Sequence, residues 1–420
     1  MAGVVAALAR LRREPFADLP IAQDLDQLCR QCGHQWRDRL LCPLLTLRLF
    51  VLQVLHGNTA IHHLRQLSGI DFAAASYCEA RQRLPLEVLT SLLGLMVQWA
   101  DRGMESMRRL GQRVLIVDCS SFSMSDTREL REHFGLPPST VPGIGYPVSK
   151  LLGLMDAATG LFVQMLALPL FVHDLRHAAQ LHPMLRSGDI LLGDRAYGSY
   201  AHFALLQMRG VFGCFRLHQR RKTSKARGVE RWHRPKKPPA WMDLPQFLTL
   251  PKCLDVRIVR FIIEERGYRT RQVALATTLL DEQAWPDARL AELYAQRWQI
   301  ETCYDHLKTT MKMKVLKCQS VEGVMKELAV YLLVYNLVRL AMLQAAARQG
   351  VSVARISFID ALRWVTCRML GLSAVEQLIV NPQRPGRREP RVIRRRMKEY
   401  NLMKRPREEL KRSANYGENR

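Results

Sequence analysis

Two short apolar runs, RVLIVD (113–118) and GDILLGD (188–194), constrain this chain more than any other feature: each is strand-sized and each ends on an aspartate. Between them, SKLLGLMDAATGLFVQMLAL divides into two strand-like segments around an Ala-Ala-Thr-Gly turn at 157–160, and HDLRHAAQLHPML has helical spacing. Strands interleaved with helices predict an α/β core. In such sheets, side chains at strand ends emerge into the ligand crevice, so Asp118 and Asp194 are candidates for chemistry. Either could equally cap a turn or a helix, and neither is diagnostic alone.

The flanks have a different character. LCPLLTLRLFVLQVLHG (41–57) and LEVLTSLLGLMVQWA (86–100) carry apolar residues at helical spacing, with the basic helical piece AAASYCEARQRLP between them. Residues 1–105 are therefore predicted to be helical, either as a helix-turn-helix-like DNA-contacting domain or as a packing unit. After Arg216, a basic, proline-containing stretch cannot be core. CLDVRIVRFIIEERGYRTRQVALATTLL then alternates apolar and polar residues, predicting a β-rich insertion over 218–285. Pro286-Asp287 starts a new helix. LAVYLLVYNLVRLAMLQAAA, from Leu328, is interrupted by Asn336 and Arg339 and suits a buried core helix better than a membrane span. The N-terminus shows no secretory pattern, and ten scattered cysteines fit reduced thiols in the cytoplasm. CRQCGH (29–34) with Cys42 lacks the second ligand pair that a structural zinc site brings.

In YAQRWQIETCYDHLK (294–308), Tyr294, Arg297, Glu301 and Lys308 lie at offsets of 0, 3, 7 and 14. At about 100° per residue of α-helix these fall within an arc of roughly 60°. A stripe of polar groups this narrow is built to grip something polar. Glu301 is a natural third carboxylate beside Asp118 and Asp194, and three such groups can hold divalent ions for phosphoryl transfer. Asp126, Asp156 and Asp305 are competing carboxylates, and spacing does not exclude Asp305. Trp298, on the edge of the stripe, is expected to pack against the core. His173 and Asp174 follow a strand-like run, with helix capping the favoured role for Asp174.

Sixty-three basic residues against 38 acidic ones give a net charge of +25. A surplus of this size answers a polyanion. It is concentrated in 216–237, which contains Arg220, Arg221 and Lys222, and in 387–412, where twelve basic and four acidic residues give +8. Trp232 and Trp241, set among the basic residues of the insertion, are the aromatic candidates for stacking on a displaced base, although burial is the commoner fate of such residues.

Taken together, Tyr-x2-Arg-x3-Glu-x6-Lys (Tyr294, Arg297, Glu301, Lys308) resembles the signature of the insertion-sequence-four family of bacterial DDE transposases. VDCSSFSMSD and LLGDRAYGSY resemble its first- and second-Asp segments, GYPVSKLLGLMDAATG the strand pair between them, and RPGRREPRVIRRR its C-terminal tail. The resemblance covers roughly residues 25–410. It implies an RNase H-like core in two parts (106–217 and 286–345) interrupted by the β-rich insertion, a helical N-terminal DNA-contacting domain (1–105), a C-terminal helical region (346–384) and a basic tail (385–420). It further implies that Asp118, Asp194 and Glu301 bind Mg2+, with Mn2+ as a substitute, which decides between Glu301 and Asp305. Tyr294, Arg297 and Lys308 would hold a DNA phosphate beside the metal site. The implied activity is cleavage of terminal inverted repeats and strand transfer into target DNA, cut-and-paste with a hairpin intermediate, by a homodimer in the synaptic complex. A metal-dependent nuclease without strand transfer and a domesticated, inactive DNA-binding protein are the alternatives.

Overall fold

The computed structural model describes residues 20–37, 39–104, 111–138, 141, 143–172, 174–218, 221, 223, 227–262, 272–367, 378–382 and 402–417. The described residues open with five helices, α1 (Pro20–Gln31), α2 (Pro43–Leu55), α3 (Ile61–Ser68), α4 (Ala74–Arg83) and α5 (Leu86–Met104). Proline in the first turn opens α2, and Gly69, in the left-handed region at φ 66°, closes α3. Next come β1 (Val114–Met124), α6 (Arg128–Phe134), β2 (Val148–Asp156), β3 (Phe162–Pro169), the single turn α7 (Asp174–Ala178), β4 (Ile190–Gly193), α8 (Tyr200–Met208) and β5 (Phe212–Arg216). The predicted insertion supplies β6 (Gly228–His233), α9 (Leu244–Thr249), β7 (Cys253–Ile262) and β8 (Gln272–Thr277). The remaining elements are α10 (Asp287–Ala295), α11 (Gln299–Asp305), β9 (Val315–Leu316), α12 (Val321–Arg348), α13 (Phe358–Cys367) and α14 (Arg407–Gly417).

One sheet of nine strands organises the molecule, in the order β3-β2-β1-β4-β5-β8-β7-β6, with β9 paired to β1. β2 pairs antiparallel with both β1 and β3, whereas β4 and β5 run parallel to β1. Among the described residues of 218–285 there are three strands and one short helix. The insertion builds no separate sheet: β8 pairs antiparallel with β5 through Cys214–Thr277, Phe215–Ala276 and Arg216–Leu275, so it widens the central sheet.

Residues of the two sheet faces fall into different hydrophobic cores. On one face, α12 is buried along most of its length and packs against α2, α5 and α13. Leu47, Phe50, Leu89 and Leu92 of the N-terminal helices share that core with Tyr335 and with Ile116 of the sheet. α12 is the one helix among the described residues long and apolar enough to cross a membrane, and its apolar window is wholly buried in protein. The two polar residues that interrupt its sequence dock it on the β2–β3 hairpin. Asn336 donates to the Phe162 carbonyl and accepts from the Phe162 amide (3.0 and 3.1 Å), and Arg339 donates to the Thr159 carbonyl. On the other face, α8 and α9 cover a core containing Phe203, Phe215, Trp232 and Phe247.

Candidate active site

Asp118 does not end its strand. β1 runs on to Met124, and what ends near Asp118 is its pairing with β4, whose last register pair is Ile116–Leu192. Extending that register by two residues sets Asp118 against Asp194, directly after β4. Beyond this point β1's partner on that side is β9, at Ser123 and Met124. The gap between β4 and β9 is the crevice expected at the carboxyl ends of parallel strands. The Asp118 carboxylate is fixed by the Cys119 amide (2.8 Å), and that of Asp194 by the Ala196 amide (2.7 Å).

The third carboxylate arrives on a broken helix. α10 passes into a 3-10 turn at Gln296–Trp298, continues as α11, and opens into a π turn at His306–Thr310. A uniform 100° per residue therefore does not hold along 294–308, because a 3-10 turn advances about 120° per residue. The predicted stripe separates as a result. Glu301 is exposed and Lys308 half-buried, while Tyr294 and Arg297 are buried at 6% and 7% exposure. Trp298, expected in the core, is rotated outward to 41% exposure and lies against the Arg297 guanidinium.

Arg297 joins the carboxylates. Its Nη2 donates to Glu301 Oε1 (3.1 Å) and its Nη1 reaches Asp118 Oδ2 (3.5 Å). Burial pushes the Asp118 carboxyl up to about 6; the Cys119 amide and Arg297 oppose this, while the nearby charges of Asp194 and Glu301 add to it. Elevation of this kind, by desolvation and by crowding of like charges, occurs both at functional sites and in buried ion-pair networks. Lys308 Nζ donates to Ser120 Oγ on β1 (3.1 Å). Burial raises the Tyr294 hydroxyl well above its usual range, with Asp194 among the charges acting on it. Tyr294 is thus packed in the main core beside the site rather than displayed on a surface. Among the described residues, no three His, Cys, Asp or Glu side chains converge tightly enough to form a ready metal cage. Asp118 and Glu301 instead share one guanidinium, with the charge of Asp194 near Asp118.

The competing carboxylates lie elsewhere. Asp126 accepts from Arg131 and Arg407, and Asp156 caps the β2–β3 turn through the Ala158 and Thr159 amides. Asp305 is exposed at the end of α11. Of the aromatic candidates, Trp232 is corrected: it is 4% exposed in the second core, its indole N–H donates to Glu230, and Arg221 lies over its ring at 3.3 Å. A base cannot stack on a face that is already covered. Trp241 packs half-buried against the same core. Arg220, Lys222 and His173 lie outside the described residues, as does 383–401 of the basic tail. From Leu402 the tail is docked: Leu402 forms a β-bridge with Gly145, and Arg407 donates to the Asp126 carboxylate and to the carbonyls of Gly143 and Gly145.

Sequence reasoning missed two features of the site. One is Arg297 as the bridge between Asp118 and Glu301. The other is Tyr304, whose hydroxyl lies at the Asp118 main chain. Arg297 carried a partial signal, standing four residues before Glu301 on the same helical face.

Residues 109–337 match the family model described as the Transposase DDE domain. Over 145 residues the chain is 32% identical to the transposase InsG for insertion sequence element IS4 of Escherichia coli (strain K12), a match covering 30% of this chain and 33% of that relative. The chain thus spans about a third of the length of the curated relative it matches. Among solved structures, the cryo-EM structure of the piggyBac transposase synaptic complex with hairpin DNA has a TM-score of 0.43 at 12% identity, covering 88% of this chain and 80% of that one.

Proposed function

The chain belongs to the Transposase DDE domain family, and from that premise we propose that it is a DNA transposase of a bacterial insertion sequence. It binds the element's terminal inverted repeats, cleaves them and joins the freed ends to target DNA, with a hairpin at the excised end. The observation that carries this reading is the meeting of Asp118 and Glu301 on one buried guanidinium, with Asp194 across the strand gap. Three carboxylates from β1, the β4 exit and α11 have no structural need of one another, and their repulsion is a cost that a cation offsets. The antiparallel β1–β2–β3 unit followed by parallel β4 and β5 supports an RNase H-like description of the central sheet.

The donor set fits a hard divalent ion, Mg2+ or its substitute Mn2+: every candidate ligand is a carboxylate oxygen, and a cationic group already bridges two of them. Asp118, Asp194 and Glu301 would hold it. Bound there, such an ion supplies stabilisation of the charge that develops on the oxygens of a transferring phosphoryl group. The protein's own residues do the rest. Arg297 partly offsets the burial that raises the Asp118 carboxyl and links Asp118 to Glu301. Lys308, tethered to Ser120 on the same strand as Asp118, offers a point charge to a DNA phosphate beside the site. Arg221 and the basic residues of 402–412 add sequence-independent backbone attraction, together with the N-terminal helices as a DNA-contacting region. Two copies act together in the synaptic complex.

The test is cleavage of a labelled duplex carrying the element's own end, with Mg2+ and both ends supplied, comparing wild type with Glu301→Gln. Wild type nicks the end or releases hairpins, and the variant binds equally well but cuts slower by about 1,000-fold or more. Wild-type protein that binds the end yet never cuts it, with Mg2+ or Mn2+, would overturn the proposal in favour of a DNA-binding protein without catalysis.

A further inference from the structure

Tyr304 lies one helical turn beyond Glu301 on α11 and is 5% exposed. Its hydroxyl donates toward the main-chain carbonyl of Asp118 (2.9 Å) and also lies 3.1 Å from the Leu151 carbonyl on the neighbouring strand β2. The phenol thus enters the β1–β2 ladder where Asp118 faces Gly153 in register. Gly153 is what admits it: a Cβ there would stand 2.5 Å from the Tyr304 oxygen and 3.1 Å from Phe162. Nothing in the backbone of Gly153 itself demands glycine, since it is absent from the left-handed positions. Its bareness serves the hydroxyl.

We propose that Tyr304, seated against Gly153, is a positioning residue that fixes the spacing between the Asp118 and Glu301 carboxylates by bolting the helix of one to the main chain of the other. The inference rests on the transposase reading for its meaning, but the bolt itself is a property of the fold. Core packing alone would hold α11 against the sheet: Ile300, Cys303 and Leu307 already do so. A buried hydroxyl, by contrast, contributes little to net stability and specifies register, because it has partners in only one placement. Supports of this kind around metal ligands commonly change metal affinity by about 10- to 100-fold.

The experiment compares the full-length wild-type chain with Tyr304→Phe, Gly153→Ala and Tyr335→Phe. Tyr335 is the control: it is buried too, touches the same Phe162 ring, and its hydroxyl donates to the Gly160 carbonyl and lies beside the Cys303 thiol of α11, with no hydrogen bond to Asp118 or to β1. Two quantities are measured, Mn2+ affinity by titration and amide exchange of 115–121 in metal-free protein. Tyr304→Phe is expected to weaken Mn2+ binding about 10-fold and to speed exchange around Asp118 by a similar factor. Gly153→Ala, which displaces the hydroxyl, does the same. Tyr335→Phe leaves both unchanged at comparable urea stability. Equal effects from Tyr304→Phe and Tyr335→Phe, or none from Tyr304→Phe, overturn the positioning role. If wild type binds no Mn2+, the metal reading fails, and the exchange data still decide whether the bolt exists.

Discussion

At the two ends of the β1–β4 pair an arginine stands between two carboxylates, and the arrangements differ in how far water reaches them. At the closed end, Arg113 faces Asp156 at 3.8 Å and Asp189 at 3.6 Å, with all three side chains 4% exposed. Both aspartates also hold local backbone: Asp156 takes amides of its turn, and Asp189 takes the Arg186 amide. At the open end, Arg297 is 9% exposed, but Asp118 is at 19% and Glu301 at 49%. A third carboxylate, Asp194, adds its negative charge to those acting on Asp118, where the closed end has two carboxylates on one arginine. A buried cluster whose aspartates also hold their own turns serves the fold. An accessible cluster of like charges is the one proposed above to take a divalent ion.

The largest effect should come from Arg113→Met, which strands two buried carboxylates. Urea unfolding is expected to show a loss of about 3–5 kcal/mol. DNA cleavage per folded molecule stays at the wild-type level. A loss below 1 kcal/mol would mean that the closed end is not the structural member of the pair. Arg297→Gln should reverse the pattern. Cleavage falls about 100-fold, equivalent to about 2.7 kcal/mol, while stability changes less, because its partner Glu301 is half in water. A stability loss matching that of Arg113→Met would erase the contrast.

Asp118→Asn sharpens the comparison through its sign. The Asp118 carboxyl titrates near 6 in the folded protein against an ordinary 3.8, so the native state holds that proton more tightly than the unfolded chain. Its contribution is fully present below about pH 4 and is lost as pH rises through 6. The asparagine variant avoids that loss. At pH 8 it should be more stable than wild type by on the order of 1 kcal/mol, and the advantage should vanish near pH 4. Asp156→Asn, at the closed end, should destabilise at pH 8. Urea midpoints at the two pH values check both, and a destabilised Asp118→Asn at pH 8 would contradict the view of the open end as strained. The smallest effect belongs to Lys308→Ala, expected to weaken end binding a few-fold and to flatten its dependence on salt concentration by about one phosphate's worth. Filter binding at several salt concentrations measures it.

Much of this architecture was legible in the residues. The helices of 41–57 and 86–100, the strand pair around Ala157–Gly160 and the buried helix containing Asn336 all follow from periodicity and turn chemistry, which act over a few neighbours. The basis of Asp118, Asp194 and Glu301 as candidates was also local, being two apolar runs with an acidic residue after each and a polar helix face. Trp298 was misjudged as a core residue because a 3-10 turn at 296–298 changes the angular step, and no residue there announces it. Trp232 looked like a DNA platform because its sequence neighbours are basic. In space its neighbours are Phe203 and the covering Arg221.

By itself, the sequence nominated the candidate carboxylates, set most of the helices and strands, and carries a net charge of +25. Only the tertiary structure decided that the insertion would extend the main sheet through β8. It also decided that Arg297 would meet a carboxylate 179 positions away, and that Tyr304 would reach a carbonyl 186 positions away. The reason is physical. Periodicity and capping are short-range and written in adjacent residues, whereas partners across a sheet are chosen by packing and register, which depend on the whole chain at once.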